Sequence, residues 1–460
     1  MCSTSKLWDC GGDGGWKWEM EVIRNVVIIL NMEDMSMGED RISQLSDPIL
    51  HDILTSFPTK DVVATSILSR RWRYLWMTVP KLKFCHKRCR SPPYPETERF
   101  MSYVDEVLRL HDLSCLKKFS LEYYGMFNAA PFEEFRIRAW ISKITEHRVQ
   151  DLHLSIMLKE PFVFPNCLFT CSSLIVLKLA LGSLKLGASV SFPTLKILQL
   201  REVTILDGHL IEKLFCCSQV LEELHIQACT LVNAKNFCVS APALKCFTLE
   251  NCELAINAEL ENYCGALTDV EIMIHAPKLV FFSYKTYLVN EIIICKFDSP
   301  MNAYMDVPTD VNYDLEREEG QQRIGYSSSR LLQGLTEVKE LTISGNIFQG
   351  VEQDLNEDSR ILETVPAHLM LHLKEVRFNQ FEGHAEELYA VKFFLKNARD
   401  LHRITIRCLR SLSLDLKTEV EEMEKSLTDP SDFKASIIIF EESSYCEEPF
   451  FEIEYLYRSK

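Results

Sequence analysis

Residues 221–254 read LEELHIQACTLVNAKNFCVSAPALKCFTLENCEL, and this stretch decides the fold. It contains one template twice, L-x-x-L-x-L-x-x-C-x-L, from Leu221 through Cys229 to Leu231 and from Leu244 through Cys252 to Leu254. The shorter core, L-x-x-L-x-L with apolar swaps, recurs on both sides. Before it stand Leu116-Phe119-Leu121, Val149-Leu152-Leu154, Leu174-Leu177-Leu179 and Leu195-Leu198-Leu200; after it stand Leu267-Val270-Ile272 and Val289-Ile292-Ile294. From the unit at Leu195 to the unit at Val289 the spacing is about 22–26 residues, a repeat period of the length that one strand and its return need. Alternation within L-x-L puts the leucines on one face of a short strand. Such a unit buries that face only against its neighbours, so the strands stack in parallel. Cys229 and Cys252 then fill a small interior position just after the strand, as buried cysteines commonly do; Cys216 and Cys217 read as packing in the same way.

The expected architecture is therefore α/β, with a leucine-rich-repeat solenoid, a curved parallel sheet, over residues 113–345. Strand positions that alternate with the buried leucines face its concave side. They are Lys178, Gln199, Arg201, Glu223, His225, Gln227, Thr248 and Glu250, the expected contact surface for a target protein. They carry no single-sign charge, so they specify no ligand class, and each one also reads as an ordinary solvated strand position.

A second motif lies upstream. Residues 41–84 read RISQLSDPILHDILTSFPTKDVVATSILSRRWRYLWMTVPKLKF. Ser46 is an N-cap candidate, with Asp47 and Pro48 in the first turn, where a carboxylate suits the helix dipole and proline lacks only an orphan donor. Ile49, Leu50, Ile53, Leu54 and Phe57 recur at helical spacing. Pro58 ends that helix, and Thr59 can cap the next, which carries Val62, Val63, Ile67 and Leu68. Ser69 to Trp76 makes a third, with Trp72, Leu75 and Trp76 among arginines. So short a unit cannot bury all of this apolar surface in itself. The stretch resembles an F-box of the plant type, PTKDVVATSxLSRRWRxLW, over essentially the whole motif. It departs once: the family's Leu-Pro-Asp is here Leu45-Ser46-Asp47. The resemblance implies docking to a Skp-family adaptor, and through it to cullin and RING subunits, by Leu45, Pro48, Ile49, Leu50, Ile53, Val62, Val63, Ile67, Leu68, Trp72 and Trp76. Which of these belong to the module's own core the sequence leaves open.

The third motif is HLKEVRFNQFEGHAEELYAVKFFLKNARDLHRITIRC. It reads as strand (Leu373-Val376-Phe378), helix (about 385–397, burying Leu388, Val391, Phe394 and Leu395) and strand (Leu401-Ile404-Ile406). This segment is similar to the FBD domain of plant F-box proteins and is expected to cap the solenoid. The expected division is a leader at 1–38, the F-box at 39–85, linker and helix at 86–112, repeats at 113–345 with a polar insertion near 297–327, FBD and terminal repeats at 346–410, and an acidic tail or closing strand at 411–460. The leader sets glycines among Trp8, Trp16 and Trp18 and reads as disordered; Met32, Met35 or Met37 is an alternative start.

Composition narrows the function classes. The 460 residues carry a net charge of −16, which opposes sequence-independent nucleic-acid binding. No secretory signal or membrane-spanning run is visible. Seventeen scattered cysteines point to a reducing compartment, nucleus and/or cytoplasm. Cys85, His86 and Cys89 lack the second ligand pair a zinc site needs. No phosphate loop, G-x-S-x-G or H-E-x-x-H occurs, so neither catalysis, metal nor cofactor is expected. The reading is the substrate-recognition subunit of an SCF-type cullin–RING ubiquitin ligase, non-catalytic itself, holding an unknown protein substrate. A ligase-independent protein-binding scaffold with a degenerate F-box is the alternative.

Overall fold

The computed structural model describes residues 42, 44–86, 94–125, 131–158, 160–185, 190–206, 214, 218–232, 236–255, 271–285, 291–294, 301–306, 331–335, 337–344, 347, 367–408, 418 and 437–442. The leader at 1–38, Cys89, Cys216 and Cys217 lie outside them. The chain divides into two units, Met1–Lys159 and Glu160–Lys460.

In the first unit the motif after residue 41 folds as helices α1 (Asp47–Thr55), α2 (Thr59–Ala64) and α3 (Trp72–Leu75), with single 3-10 turns at Thr65–Ile67 and Trp76–Thr78. Ser46 has the extended backbone of an N-cap, but its side chain makes no capping bond. Arg71 steadies that end instead. Its Nε donates to Asp47 Oδ1 at 2.9 Å and its Nη2 to Leu45 O at 2.6 Å. Thr59 does not cap α2; Pro58 holds that position. The Thr59 hydroxyl instead accepts the Lys83 amide at 2.6 Å, tying α2 to the first strand.

That strand, β1 (Lys81–His86), is followed by α4 (Tyr94–Leu110), β2 (Lys118–Tyr124), α5 (Pro131–Glu146) and β3 (Asp151–Met157). The three strands are parallel and in register, Leu82 beside Phe119 beside Leu152 and Phe84 beside Leu121 beside Leu154. Residues 81–85 are thus a sheet rung. Val79-Leu82-Phe84 fits the repeat template with valine and phenylalanine in leucine positions, which hid it. The helix expected within 86–112 is Tyr94–Leu110.

The second unit contains β4 (Val176–Leu184), β5 (Ile197–Ile205), β6 (Glu223–Gln227), β7 (Thr230–Val232), β8 (Asn236–Ser240), β9 (Cys246–Glu250), β10 (Glu253–Ala255), β11 (Glu271–His275), β12 (Phe281–Lys285), β13 (Glu291–Ile294), β14 (Met301–Asp306), β15 (Val338–Ser344), α6 (Ala367–His372), β16 (Glu375–Phe381), α7 (Ala385–Asn397), β17 (Arg403–Cys408) and β18 (Ile437–Glu442). Within this unit the main parallel sheet runs β4-β5-β6-β9-β12-β14-β15-β16-β17-β18. One interior column is Leu177, Leu198, Leu224, Phe247, Phe282, Ala303, Leu341, Val376 and Ile404, one residue per strand in register and all buried. Each strand contributes one rung that only its neighbours cover, as the repeat argument requires.

Two expected rungs belong elsewhere. Ile272 lies in β11 and Ile292 in β13, and with β8 these strands form a separate parallel sheet; Leu267, Val270 and Val289 lie outside the described residues. The main-sheet rung after Leu244 is Leu279-Phe282-Tyr284. Here each coil carries two apolar strands, and spacing alone does not distinguish them. The insertion near 297–327 is likewise no uniform loop: β14 is a full rung that buries Met301, Ala303 and Met305. A rung built from methionine and alanine leaves no leucine pattern. Residues 307–327 lie outside the described set.

The template's two positions between the last leucine and the cysteine have a structural meaning. Leu181, Glu202, Ala228, Asn251 and Gln380 all adopt positive φ, between 49° and 59°. Each follows its rung's second interior residue by two positions, turning the chain out of the strand. Cys229 and Cys252 then point inward, each thiol donating to a carbonyl two residues back at 3.3 Å. Gly182 is required for closeness: a Cβ there would stand 2.7 Å from the Phe164 ring and 2.8 Å from Phe162 O.

The strand–helix–strand reading of the third motif matches β16, α7 and β17. Val391 and Phe394 are fully buried, whereas Leu388 and Leu395 are half-buried. The turn before α7 closes on Glu387, whose buried carboxylate accepts the amides of Gly383 at 2.7 Å, His384 at 2.9 Å and Glu382 at 3.0 Å. β18 closes this edge beside β17; apart from residue 418, the rest of 411–460 lies outside the described residues.

Candidate functional site

The F-box helices sort their apolar residues by face. In α1, Leu50 and Leu54 point inward, while Ile49 (47% exposed) and Ile53 (43%), followed just past the helix end by Phe57, form a second i, i+4 series in solvent. Ile67 (66% exposed), Leu68 and Tyr74 are also exposed. Pro48 is exposed, and Leu45 and Val63 are half-buried. Leu50, Val62, Trp72 and Trp76 are buried and therefore make the module's own core, not its docking face. Two apolar series one residue apart obey the same helical period, so periodicity cannot say which faces in; packing does. Phe57 and Tyr74 join the exposed set without having been singled out as contacts, although Phe57 already stood in the helical series. The core is pinned by polar contacts: the His51 ring bonds Leu75 O at 3.2 Å and the Thr78 hydroxyl at 3.0 Å, and Lys81 Nζ donates to Thr55 O at 2.8 Å.

On the second unit's polar strand face, Arg201 is exposed and Lys178, Gln199, Glu223 and His225 are half-buried. Gln227, Thr248 and Glu250 are buried, which corrects their reading as solvated contact positions. In-register parallel strands stack equivalent side chains about 4.8 Å apart, and these groups bond one another. His225 Nδ1 meets the Thr248 hydroxyl at 2.8 Å, Gln227 Nε2 donates to Glu250 Oε2 at 3.4 Å, and the Ser283 hydroxyl donates to Glu250 Oε1 at 3.1 Å. Burial holds the Glu250 carboxyl above the usual carboxylate range, against the opposing pull of Ser283 and Lys285. The register continues this row from Arg201 through Gln227, Glu250 and Lys285 to Asp306. Ser283, Lys285, Tyr304 and Asp306 are not legible as site residues in the sequence, because their rungs, FFSYK and MNAYMD, carry no leucine.

Among the described residues no group of three or more His, Cys, Asp or Glu side chains could hold a metal ion. Cys85 donates to Glu122 Oε2 at 3.4 Å, and the His86 ring stacks on Tyr123. No helix among the described residues is long and apolar enough to cross a membrane.

Comparison with known proteins matches these parts in chain order. The F-box domain model matches residues 42–84, the repeat model described as FBD-associated F-box protein At5g56370, LRR repeats, matches 137–297, and the FBD model matches 362–406. Among Arabidopsis thaliana proteins, F-box/FBD/LRR-repeat protein At5g56420 is 28% identical over 408 residues, 78% of this chain and 89% of that protein. F-box protein At4g09920 is 30% identical over 328 residues, 70% of this chain and 93% of its own length. F-box/FBD/LRR-repeat protein At5g22660 is 28% identical over 397 residues, covering 85% and 80%. An F-box with a filled core and an exposed apolar face, parallel leucine-rich rungs and an FBD strand–helix–strand stand here in that order, and the chain belongs to the plant F-box/FBD/leucine-rich-repeat protein family.

Proposed function

We propose that this protein is the substrate-recognition subunit of an SCF-type cullin–RING ubiquitin ligase. The F-box docks a Skp-family adaptor, which links it to cullin and RING subunits, and the repeats hold a target protein. The observation that carries this reading is the apolar series Ile49, Ile53 and Phe57, with Ile67 and Leu68, left in solvent on a module whose own core is already filled. Such residues gain by burial against a partner at about 25 cal/mol per Å². The docking set therefore reduces to Leu45, Pro48, Ile49, Ile53, Phe57, Val63, Ile67 and Leu68. The chain does no covalent chemistry. It raises the effective concentration of target lysines near a charged conjugating enzyme, in the nucleus and/or cytoplasm.

Ser46 in place of proline is the feature that favours the alternative, a scaffold without a ligase. Against it, Arg71 holds the start of α1 through Asp47 and Leu45. Co-expression with a Skp-family adaptor and size-exclusion chromatography separates the two: a 1:1 complex supports the ligase reading, and no binding at micromolar concentration defeats it.

A further inference from the structure

Ser46 is held on both sides by one side chain. Arg71 Nη2 donates to Leu45 O at 2.6 Å and also reaches Asp47 Oδ1, to which Arg71 Nε donates at 2.9 Å. One guanidinium therefore fixes the residue before Ser46 and the residue after it. Its N–H groups form a rigid planar fork, so two acceptors are set at once, which the point charge of an ammonium does not do. Ser46 supplies nothing comparable itself. Its side chain makes no capping bond, and unlike proline it does not lock its own φ.

The fork is anchored in the module's core. Arg71 is the N-cap of α3 and directly precedes Trp72, which is buried. The Ser69 hydroxyl accepts the Trp72 amide at 3.4 Å, and Ser69 O accepts the Arg73 amide at 3.1 Å. The contact joins the entry of α1 to α3, as the His51 ring joins the middle of α1 to Leu75 O. What it orders is the relation of Leu45, half-buried, to Pro48 and Ile49, which are exposed in the first turn of α1.

We propose that Arg71 is a positioning residue for adaptor docking, which brackets Ser46 and so sets Leu45 against Pro48 and Ile49 before the adaptor arrives. This rests on the reading of the F-box as the adaptor-docking module. Without the bracket the backbone at Ser46 is ordered only on binding, and the conformational entropy of one residue corresponds to about a five- to thirtyfold factor in an equilibrium constant. Arg71 makes this contribution through Leu45 and Asp47, not by touching the adaptor. A proline at position 46 supplies part of the same order covalently, so the two devices overlap and their effects are not additive.

The test is a double-mutant cycle on the full chain, read by titration calorimetry against a purified Skp-family adaptor. Arg71→Ala is expected to weaken binding about five- to thirtyfold, and that loss should shrink by about two- to fivefold when Ser46→Pro is added. Arg71→Lys keeps the charge but not the fork and should still bind severalfold more weakly than the unmodified chain; it carries the test if Ser46→Pro disturbs the fold. In the free chain, hydrogen exchange at the Leu50 amide, which bonds Ser46 O at 3.1 Å, should quicken in Arg71→Ala and slow again on adding Ser46→Pro. Equal loss in both backgrounds, or full affinity in Arg71→Lys, would mean that the charge of Arg71 meets the adaptor directly and overturns the positioning role. A loss that only tracks the unfolded fraction does the same. Binding that Arg71→Ala leaves within twofold overturns the role of Arg71 alone, whereas no adaptor binding by the unmodified chain defeats the ligase reading and this role with it.

Discussion

Ile67→Asp and Trp72→Ala should separate docking from folding within one small module. Ile67 is 66% exposed and Trp72 is 8% exposed, although only four residues divide them. Fully burying an isoleucine is worth about 1.5–3 kcal/mol, so covering the exposed two-thirds of Ile67 against an adaptor contributes about 1–2 kcal/mol. An aspartate there forfeits that gain and adds a desolvation cost of about 1–3 kcal/mol for a polar group left unpaired. The total, about 2–5 kcal/mol, lowers adaptor affinity by at least about thirtyfold. Folding stability should change by about 0.5 kcal/mol or less, as for an ordinary surface position. Trp72→Ala behaves in the opposite way, removing a core indole at a cost of about 3–5 kcal/mol to folding. Titration calorimetry against a purified Skp-family adaptor reads the first quantity, and urea unfolding followed by tryptophan fluorescence reads the second. The reasoning fails if Ile67→Asp leaves affinity within twofold, or if affinity falls only in proportion to the fraction unfolded.

Other outcomes follow from single contacts. Ser46→Pro should raise stability by about 0.4–1 kcal/mol, since Ser46 already has φ −72° and ψ 154°; a lower urea midpoint would show that the Ser46 amide is needed. Glu387→Ala removes the acceptor of three backbone amides before α7 and should cost about 2–4 kcal/mol, visible as a lower thermal midpoint, with Glu387→Gln intermediate. Ala228→Gly relieves a left-handed residue at φ 49° and should stabilise by up to about 1 kcal/mol, whereas Ala228→Val should destabilise. Burial depresses the His111 pKa below its ordinary value of 6.5. The unfolded chain then takes the proton more readily, so His111's contribution is complete above pH 6.5 and is lost as pH falls toward the depressed folded value. Urea midpoints between pH 7 and 5 should show this acid loss, and His111→Gln should remove it.

The sequence alone determined the class of structure and its order along the chain. Period two in L-x-L and period 3.6 in α1 and α7 are local, and each is imposed by backbone geometry whatever surrounds it. The helix at 385–397, the repeat strands from Leu116 to Leu249 and a closing strand within 411–460 were legible for that reason. Tertiary structure decided what local periods leave degenerate. Ile49 and Leu50 lie on equally regular helical series, and only burial in the folded chain, complete for Leu50 while Ile49 stays exposed, tells which is core. The rungs at β1 and β14 use Val, Phe, Met and Ala, which stacking neighbours accept as readily as leucine, so composition concealed them. Ile272 and Ile292 alternate as the main rungs do, yet pair in the second sheet, because pairing depends on how long each coil runs before it returns. Thr248 and Glu250 look like exposed polar positions until register sets them beside His225, Gln227 and Ser283.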